Sequence, residues 1–266
     1  MKGLFSGDSY DTPEDMPQSK SEYLLLGSRW SVYSHFFLTI LRSRSLALRG
    51  LYDDAAWARS SFEIITNLER CAARLHIEGL DRLRAAEGPL VIVANHMSTL
   101  ETLVLPGLIT PLKPVTYVVK SKLLGGFFWG PIMRSRNPIA ISRKDPRADL
   151  EIVLRVGQER LASGVSVIVF PQGTRTEVWR REGFNSLGIK LAAKAGVRIM
   201  PVALKTDFWG SGGIFRGFGP VHRDRAVRIE FGEPIAVSGR GKAEHERCLD
   251  FIESRIKSWG VKTDKP

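Results

Sequence analysis

Residues 90–96 read LVIVANH, and residues 165–171 read VSVIVFP. In each stretch a short apolar run, rich in β-branched residues, stops at a polar or turn-forming residue. Continuous apolar runs of this length are typical of strands that are buried on both faces of a parallel sheet. Comparable runs recur at 115–119, 139–142, 197–204 and 227–231.

Helical patterns lie between several of these runs. Apolar residues recur at helical spacing in 149–162, 185–195 and 242–259, and a glycine follows each pattern. Strands that alternate with helices predict an α/β fold with a largely parallel central sheet flanked by helices. Ligands of such sheets bind beyond the carboxyl ends of the strands. His96 and Pro171 both lie just past such ends.

The N-terminal part of the chain has a different pattern. Residues 23–78 carry helical spacing throughout, so 23–80 is predicted to contain an N-terminal helical pair. Its stretch 30–41, WSVYSHFFLTIL, is bracketed by arginines, as in a helix that lies in a membrane interface. That reading makes 23–80 a membrane-associated segment, although an ordinary packing helix has the same pattern.

The remaining boundaries follow from polarity. Residues 1–22 are polar and acidic and lack the apolar region of a signal peptide, so they are predicted to form a disordered leader. Residues 81–266 would then form the main domain. No stretch reaches the roughly 18–20 apolar residues that cross a bilayer.

Charge and cysteine usage narrow the classes of partner. The 266 residues include 39 Lys and Arg against 28 Asp and Glu, a net charge of +11, which attracts polyanions such as nucleic acid, anionic membranes or acidic carrier proteins. The sequence has no helix-turn-helix, zinc-finger or RRM signature, so no nucleic-acid partner is expected. Cys71 and Cys248 are isolated, which fits a reducing compartment and predicts no disulfide framework and no structural metal site.

A histidine and a carboxylate follow the first strand in VIVANHMSTLE, residues 91–101. Positions five apart on one helix lie about 140° apart, so His96 and Glu101 can meet only if His96 precedes the helix or lies in its first turn. A carboxylate beside one ring nitrogen fixes the tautomer and raises the basicity of the other nitrogen, as a general base requires. The sequence also permits a structural reading, in which Ser98 and Glu101 form a capping box and His96 is simply buried.

A second polar motif follows another strand. Residues 168–175 read IVFPQGTR, in which a turn with Gly173 precedes Arg175. The arginine fork suits phosphate, and a glycine lets backbone N–H groups approach an anion, although such a turn by itself is weak evidence. The chain has no Gly-x-Ser-x-Gly elbow, Walker loop or GxGxxG, which argues against a serine hydrolase and nucleotide-binding classes.

Together these motifs resemble the glycerophospholipid acyltransferase family. The family has a histidine followed, after four residues, by an acid, and later Phe-Pro-Glu-Gly-Thr-Arg. Here the corresponding residues are 96–101, HMSTLE, and 170–175, FPQGTR. Between them the family has a strand that ends in an arginine, matched by 139–143, and after them a strand with an internal proline, matched by 199–202.

The resemblance implies an acyltransferase domain over 81–266 that moves a fatty acyl group from a thioester to a lysophospholipid hydroxyl, with 1-acyl-sn-glycerol-3-phosphate the expected acceptor. His96 would be the base and Glu101 its partner. The implied substrate-binding residues are Arg143, Gln172, Gly173, Thr174 and Arg175. The donor would be acyl-CoA or acyl carrier protein, with no metal or bound cofactor, and the enzyme would act at the cytoplasmic face of a membrane as a peripheral or monotopic protein.

Three departures from the family pattern bear on the acceptor. Glu101 stands where the family usually has Asp, Gln172 where it has Glu, and Ser142 where it has Asp before the arginine. They leave open another lyso-lipid acceptor or a non-catalytic protein that binds anionic lipid. The apolar segment 123–131, flanked by basic residues, fits lipid contact, the mouth of an acyl channel or a core loop.

Overall fold

A computed structural model describes residues 5, 7–212 and 217–264. Eight strands of this part form one sheet in the order β1-β2-β8-β7-β3-β6-β4-β5. Their bounds are β1 Ser9–Asp11, β2 Leu75–Glu78, β3 Val91–Ala94, β4 Val115–Lys120, β5 Ile139–Ile141, β6 Ser166–Val169, β7 Ile199–Lys205 and β8 Val227–Phe231.

The sheet is largely parallel. The run from β7 through β3, β6 and β4 to β5 is parallel throughout, and β2 pairs in parallel with β8. The two antiparallel pairs are β1 with β2 and β7 with β8. The predicted α/β class with a mostly parallel central sheet is confirmed, and all six predicted strands are present to within a few residues.

Helices cover both faces of this sheet. Their bounds are α1 Lys20–Leu24, α2 Arg29–Leu48, α3 Asp54–Arg70, α4 Leu80–Ala85, α5 Leu100–Ile109, α6 Trp129–Ser135, α7 Pro146–Ala162, α8 Leu187–Ala195 and α9 Lys242–Ser258. Within the described residues, none of these helices is long and apolar enough to cross a membrane.

The alternation of β3 explains why its sequence is continuously apolar. Ile92 and Ala94 join the core formed with α2, α3 and α5, whereas Val91 and Val93 join the core formed with α7, α8 and α9. Both faces of the strand are therefore dry, and every position along it is apolar. The change to polar residues at Asn95 and His96 marks the edge of these two cores.

The prediction that 23–78 is helical throughout was wrong at its end. Residues 75–78 form β2, and α3 has already stopped at Arg70, followed by Ala72 with a φ of 67°. Leu75 and Ile77 are buried and alternate with more exposed residues, which is a strand period too short to stand out beside a long helix. A boundary at residue 80 would cut the sheet, because Ile77 pairs with Ile229 of β8.

The prediction of a disordered leader was wrong for 7–22; residues 1–4 and 6 lie outside the described part. Strand β1 pairs with β2, and Ser19 caps α1. Tyr10 and Thr12 each donate a hydrogen bond of 2.7 Å to the buried carboxylate of Glu69. Polarity misled the prediction, because these side chains bind a buried group rather than water.

Candidate active site

The parallel pairing of β3 and β6 brings the two polar motifs side by side. Val93 pairs with Val169, so both strands end at the same edge of the sheet. The side-chain oxygen of Gln172 accepts a hydrogen bond of 2.6 Å from the His96 N–H, and the Thr176 N–H donates to the His96 carbonyl at 2.9 Å. The backbone of His96 is therefore fixed on both sides by the second motif.

The ring of His96 is held between an aromatic ring and a carboxylate. It stacks on Phe170, with ring centroids 4.3 Å apart and planes 19° from parallel. Its Nδ1 is buried, lies 3.6 Å from the nearer Glu101 oxygen, and has no hydrogen-bond partner within the described residues. The distance is longer than that of a formed hydrogen bond, and the contact is an ion pair only when the imidazole is protonated. The side chain is 16% exposed, and this exposure lies on atoms other than Nδ1.

Glu101 combines the two readings that its sequence left open. Its carboxylate is fully buried and accepts N–H groups of Met97 and of Ser98, the latter at 2.8 and 3.0 Å, while it also faces His96. Burial acts to raise the pKa of Glu101, but His96 and these N–H groups outweigh it, so the pKa lies below the ordinary value. Glu101 is therefore an anion at neutral pH.

Arg143 lies on a loop that a buried acid holds in an unusual conformation. It has a φ of 60°, and Asp149 accepts the backbone N–H groups of Ser142 at 2.8 Å and of Arg143 at 2.7 Å. Its guanidinium packs over Gly173, since a Cβ at that glycine would lie only 3.6 Å from Nη2. Gly173 itself has a φ of 69°, which a side chain would disfavour.

The rest of the second motif turns toward the same end of the sheet. Arg175 is exposed, and its Nη1 donates a hydrogen bond to Thr99 Oγ1, three residues after His96. Thr174 is exposed, and its backbone N–H donates to the Gln172 carbonyl at 2.8 Å, so its observed contact shapes the turn. The predicted residues thus surround one end of β3 and β6, with the guanidinium groups accessible to solvent.

Two residues that support this arrangement were not predicted. The buried Asn95 amide donates to the carbonyl of Leu204 and accepts its N–H, both at 2.8 Å, which ties the end of β3 to β7. Asp149 holds the Arg143 loop by accepting the N–H groups of Ser142 and Arg143. The available signals were a polar residue directly after a buried strand and an acid in the first turn of α7. In the described parts of the chain, no group of three or more His, Cys, Asp or Glu side chains could hold a metal ion.

Comparison with known proteins identifies the family. The Acyltransferase family model matches residues 74–205, which include all seven predicted site residues. The chain is 30% identical over 245 residues to the 1-acyl-sn-glycerol-3-phosphate acyltransferase of Pseudomonas aeruginosa, covering 91% of this chain and 88% of that protein. It is 27% identical to the lyso-ornithine lipid O-acyltransferase of the same organism, covering 68% of this chain and 72% of that protein.

A solved structure has the same fold. The crystal structure of the 1-acyl-sn-glycerophosphate acyltransferase PlsC from Thermotoga maritima superposes with a TM-score of 0.62 at 20% identity, covering 92% of this chain and 95% of that one. At this identity the likeness shows the fold alone. The extended match in sequence carries the assignment, and the resemblance found in the motifs is confirmed: this chain belongs to the acyltransferase family.

Proposed function

We propose that the protein transfers a fatty acyl group from a thioester to the free hydroxyl of 1-acyl-sn-glycerol-3-phosphate, which gives phosphatidic acid. One observation carries the proposal: a histidine backed by a buried carboxylate lies at the same sheet edge as two solvent-accessible arginines. The names of the relatives support the choice of acceptor.

In this proposal His96 is the general base and Glu101 its partner. With the ring proton on Nδ1, facing Glu101, Nε2 is left to accept the proton of the acceptor hydroxyl. The hydroxyl oxygen attacks the thioester carbonyl and forms a tetrahedral intermediate. When that intermediate collapses, the carbon–sulfur bond breaks, the ester remains, and the leaving thiolate takes the proton back from His96. The Glu101 anion stabilises the imidazolium between these steps.

Arg143 and Arg175 would hold the phosphate of the acceptor. Charge-assisted bonds from an arginine fork match phosphate oxygens in geometry. Gly173 lets the Arg143 guanidinium pack against the turn, and Gln172 keeps the His96 backbone in place through its neutral carbonyl. The family glutamate is therefore not needed for that hydrogen bond, because an amide oxygen accepts it.

The donor would be acyl-CoA or acyl carrier protein, with no bound cofactor. Both donors are polyanionic, and basic residues lie near the site. Between Thr102 and Lys144 the sequence has no Asp or Glu, and this segment contains the strands β4 and β5. The basic residues at or just beyond the carboxyl ends of these two strands are exposed: Lys120, Lys122, Arg143 and Lys144.

In this proposal the protein binds peripherally to the cytoplasmic face of a membrane and does not cross it. Trp30, Phe37, Leu41 and Leu48 lie on one face of α2 and are 41–58% exposed, opposite the face that packs on the core. Phe127 and its neighbour Phe128 extend this apolar surface, since Arg44 of α2 donates to the Phe127 carbonyl. Such a surface next to basic residues favours peripheral insertion among lipid head groups.

A second candidate acceptor comes from the match to the lyso-ornithine lipid O-acyltransferase. That acceptor carries an amino acid instead of a phosphate, and Ser142 and Gln172 depart from the family pattern where the acceptor is expected to bind.

The test is an acyl-transfer assay with both acceptors and both donors. The purified chain is incubated in mixed micelles with 1-acyl-sn-glycerol-3-phosphate or lyso-ornithine lipid, and with labelled acyl-CoA or acyl carrier protein. We expect phosphatidic acid as the main product. If only lyso-ornithine lipid were acylated, it would replace 1-acyl-sn-glycerol-3-phosphate as the proposed acceptor. If no combination of donor and acceptor gave product while the protein still bound lipid, acyl transfer itself would be refuted.

A separate experiment tests the peripheral mode of membrane binding: high salt or alkaline carbonate should release the protein from membranes.

A further inference from the structure

Thr99 is placed where a helix cap is expected, but its hydroxyl is used elsewhere. It occupies the N-cap position of α5, where a threonine side chain ordinarily accepts an N–H from the first turn. No such hydrogen bond is made by Thr99. Ser98 takes over that function, since its hydroxyl accepts the Leu100 N–H at 3.0 Å. The Thr99 hydroxyl is therefore free to make other contacts.

Those contacts connect the second motif to a distant loop. The hydroxyl accepts a hydrogen bond from Arg175 Nη1 and donates one of 3.4 Å to the carbonyl of Gly217. One hydroxyl thus acts as both acceptor and donor, as its chemistry permits. Gly217 packs directly on the pair, because a Cβ at that position would lie 3.5 Å from Thr99 Oγ1 and 3.9 Å from Arg175 Nη1.

The loop that receives the Thr99 hydrogen bond is itself anchored. The Gly217 carbonyl also accepts the indole N–H of the buried Trp209 at 2.8 Å. Two residues on, the Gly219 carbonyl accepts the hydroxyl of Tyr33, a buried residue of α2, at 2.6 Å. Thr99 is therefore fixed between α5 and a held backbone segment, and it can fix the orientation of an otherwise exposed arginine.

We propose that Thr99 is a positioning residue for the acceptor site: its hydroxyl holds the Arg175 guanidinium in the orientation that receives the acceptor phosphate. The inference rests on the proposed function of Arg175. An exposed arginine samples many rotamers, and holding one of them before binding lowers the entropy lost when the phosphate arrives. Thr99 does not touch the reacting atoms in this account.

The test compares Thr99→Val with Thr99→Ser in steady-state kinetics with 1-acyl-sn-glycerol-3-phosphate as the varied substrate. Valine keeps the shape and removes the hydroxyl, whereas serine keeps the hydroxyl. We expect Thr99→Val to raise the acceptor KM about two- to tenfold, the effect of one side chain no longer held before binding. The kcat and the donor KM should stay close to those of the unsubstituted protein, and Thr99→Ser should restore the acceptor KM.

Thr116→Val is the matched control. The hydroxyl of Thr116 also donates to a backbone carbonyl, that of Arg136 at 2.8 Å, but Thr116 lies near the amino end of β4, away from the strand ends that surround His96. This control should leave the acceptor KM unchanged. Thermal unfolding of all variants checks that each is folded at the assay temperature. If Thr99→Val is not folded, Thr99→Ala, which also removes the hydroxyl, takes its place and is expected to raise the acceptor KM in the same way.

The Arg175→Ala background separates failure of this inference from failure of the proposed function. If Arg175→Ala itself leaves the acceptor KM unchanged, the phosphate role of Arg175 is wrong. If Arg175→Ala raises it but Thr99→Val does not, the positioning role of Thr99 is overturned and the function stands. A further rise in KM from Thr99→Val within the Arg175→Ala background would also overturn it, because Thr99 would then act without Arg175.

Discussion

The strand ends around His96 and the outer face of α2 both reach solvent, but they are held in opposite ways. Around His96, named polar groups fix one another: Gln172 binds the His96 backbone, and Asp149 binds the Arg143 loop. On α2, large apolar side chains such as Trp30 and Leu41 extend outward with much of their surface exposed. Geometry therefore matters in the first region, and apolar area matters in the second.

This contrast predicts two kinds of sensitivity. A single substitution among mutually bonded groups displaces its partners, so its effect on activity is large and specific. A single substitution on an apolar face removes only its share of the buried area, and its effect is gradual. Substitutions in the two regions should therefore differ in how strongly, and in which measured quantity, they act.

Replacement of His96 by alanine should have the largest effect. We expect His96→Ala to reduce kcat about a hundredfold or more, the usual contribution of a general base. Binding to anionic vesicles should not change, because the α2 face is untouched. Kinetics and vesicle sedimentation measure the two quantities. His76→Ala, on a strand three places from β3 in the sheet, is the control and should retain activity. If a folded His96→Ala protein kept more than about a hundredth of the activity, His96 would not be the general base.

Loss of one arginine should weaken the capture of the acceptor. We expect Arg143→Ala and Arg175→Lys to raise the acceptor KM about ten- to a hundredfold, because each charge-assisted bond contributes about 1.5–3 kcal/mol. The donor KM should change little, since the phosphate is remote from the thioester. Lysine cannot reproduce the arginine fork. Arg155→Ala, at an exposed arginine of α7, is the control. An unchanged acceptor KM in Arg143→Ala and in Arg175→Lys would contradict the binding of the phosphate by these two arginines.

A polar residue on the α2 face should weaken membrane binding without impairing catalysis. We expect Leu41→Asn to lower the vesicle partition coefficient about tenfold, the effect of withdrawing one leucine side chain from an apolar environment. Activity in detergent micelles should be retained. Leu112→Asn, at an exposed leucine after α5, is the matched control. Equal partitioning of the two variants would show that this face does not contact lipid.

The smallest effect concerns stability in acid. The folded-state pKa of Glu101 is lowered, so its contribution to stability is present above the unfolded pKa of about 4.3 and is lost as the pH falls through the lower folded value. Glutamine keeps an oxygen that can accept the Met97 and Ser98 N–H groups but does not titrate. The free energy of unfolding should therefore differ most between the protein and Glu101→Gln above pH 4.3, and the difference should shrink in acid. The free energies come from urea unfolding at a series of pH values. A difference between the two proteins that stays constant at every pH would argue against a stabilising charge on Glu101.

The strands were predicted well because both of their faces are dry. Every residue of β3 is apolar, as is every residue of β6 after the buried Ser166, so the pattern can be recognised without knowledge of neighbouring strands. The strands β1 and β2 were not predicted from this pattern. Strand β1 lies at the edge of the sheet and consists of polar residues, Ser9, Tyr10 and Asp11, so it has no apolar run. Only the pairing with β2, and the buried carboxylate of Glu69, explain why this segment is ordered as a strand.

The two readings of Glu101 could not be separated by sequence. A capping box and a histidine partner both need a carboxylate at that position, and the sequence gives no distance. In the fold, the carboxylate makes both kinds of contact. Its two oxygens accept backbone N–H groups, and one of them also lies 3.6 Å from Nδ1 of His96. The same limit hid Thr99, because nothing in the sequence indicates its contact with Arg175.

By itself, the sequence determined the parallel α/β class, the family, and the positions of the two polar motifs after β3 and β6. These features depend on local periodicity and on residue types at fixed spacing, which the chain carries in one dimension. Only the tertiary structure decided that β1 and β2 extend the sheet, that Asp149 holds the Arg143 loop, and that Thr99 lies between Arg175 and Gly217. Those contacts join residues far apart in the chain, and a contact of that kind depends on how the layers pack and not on any local pattern.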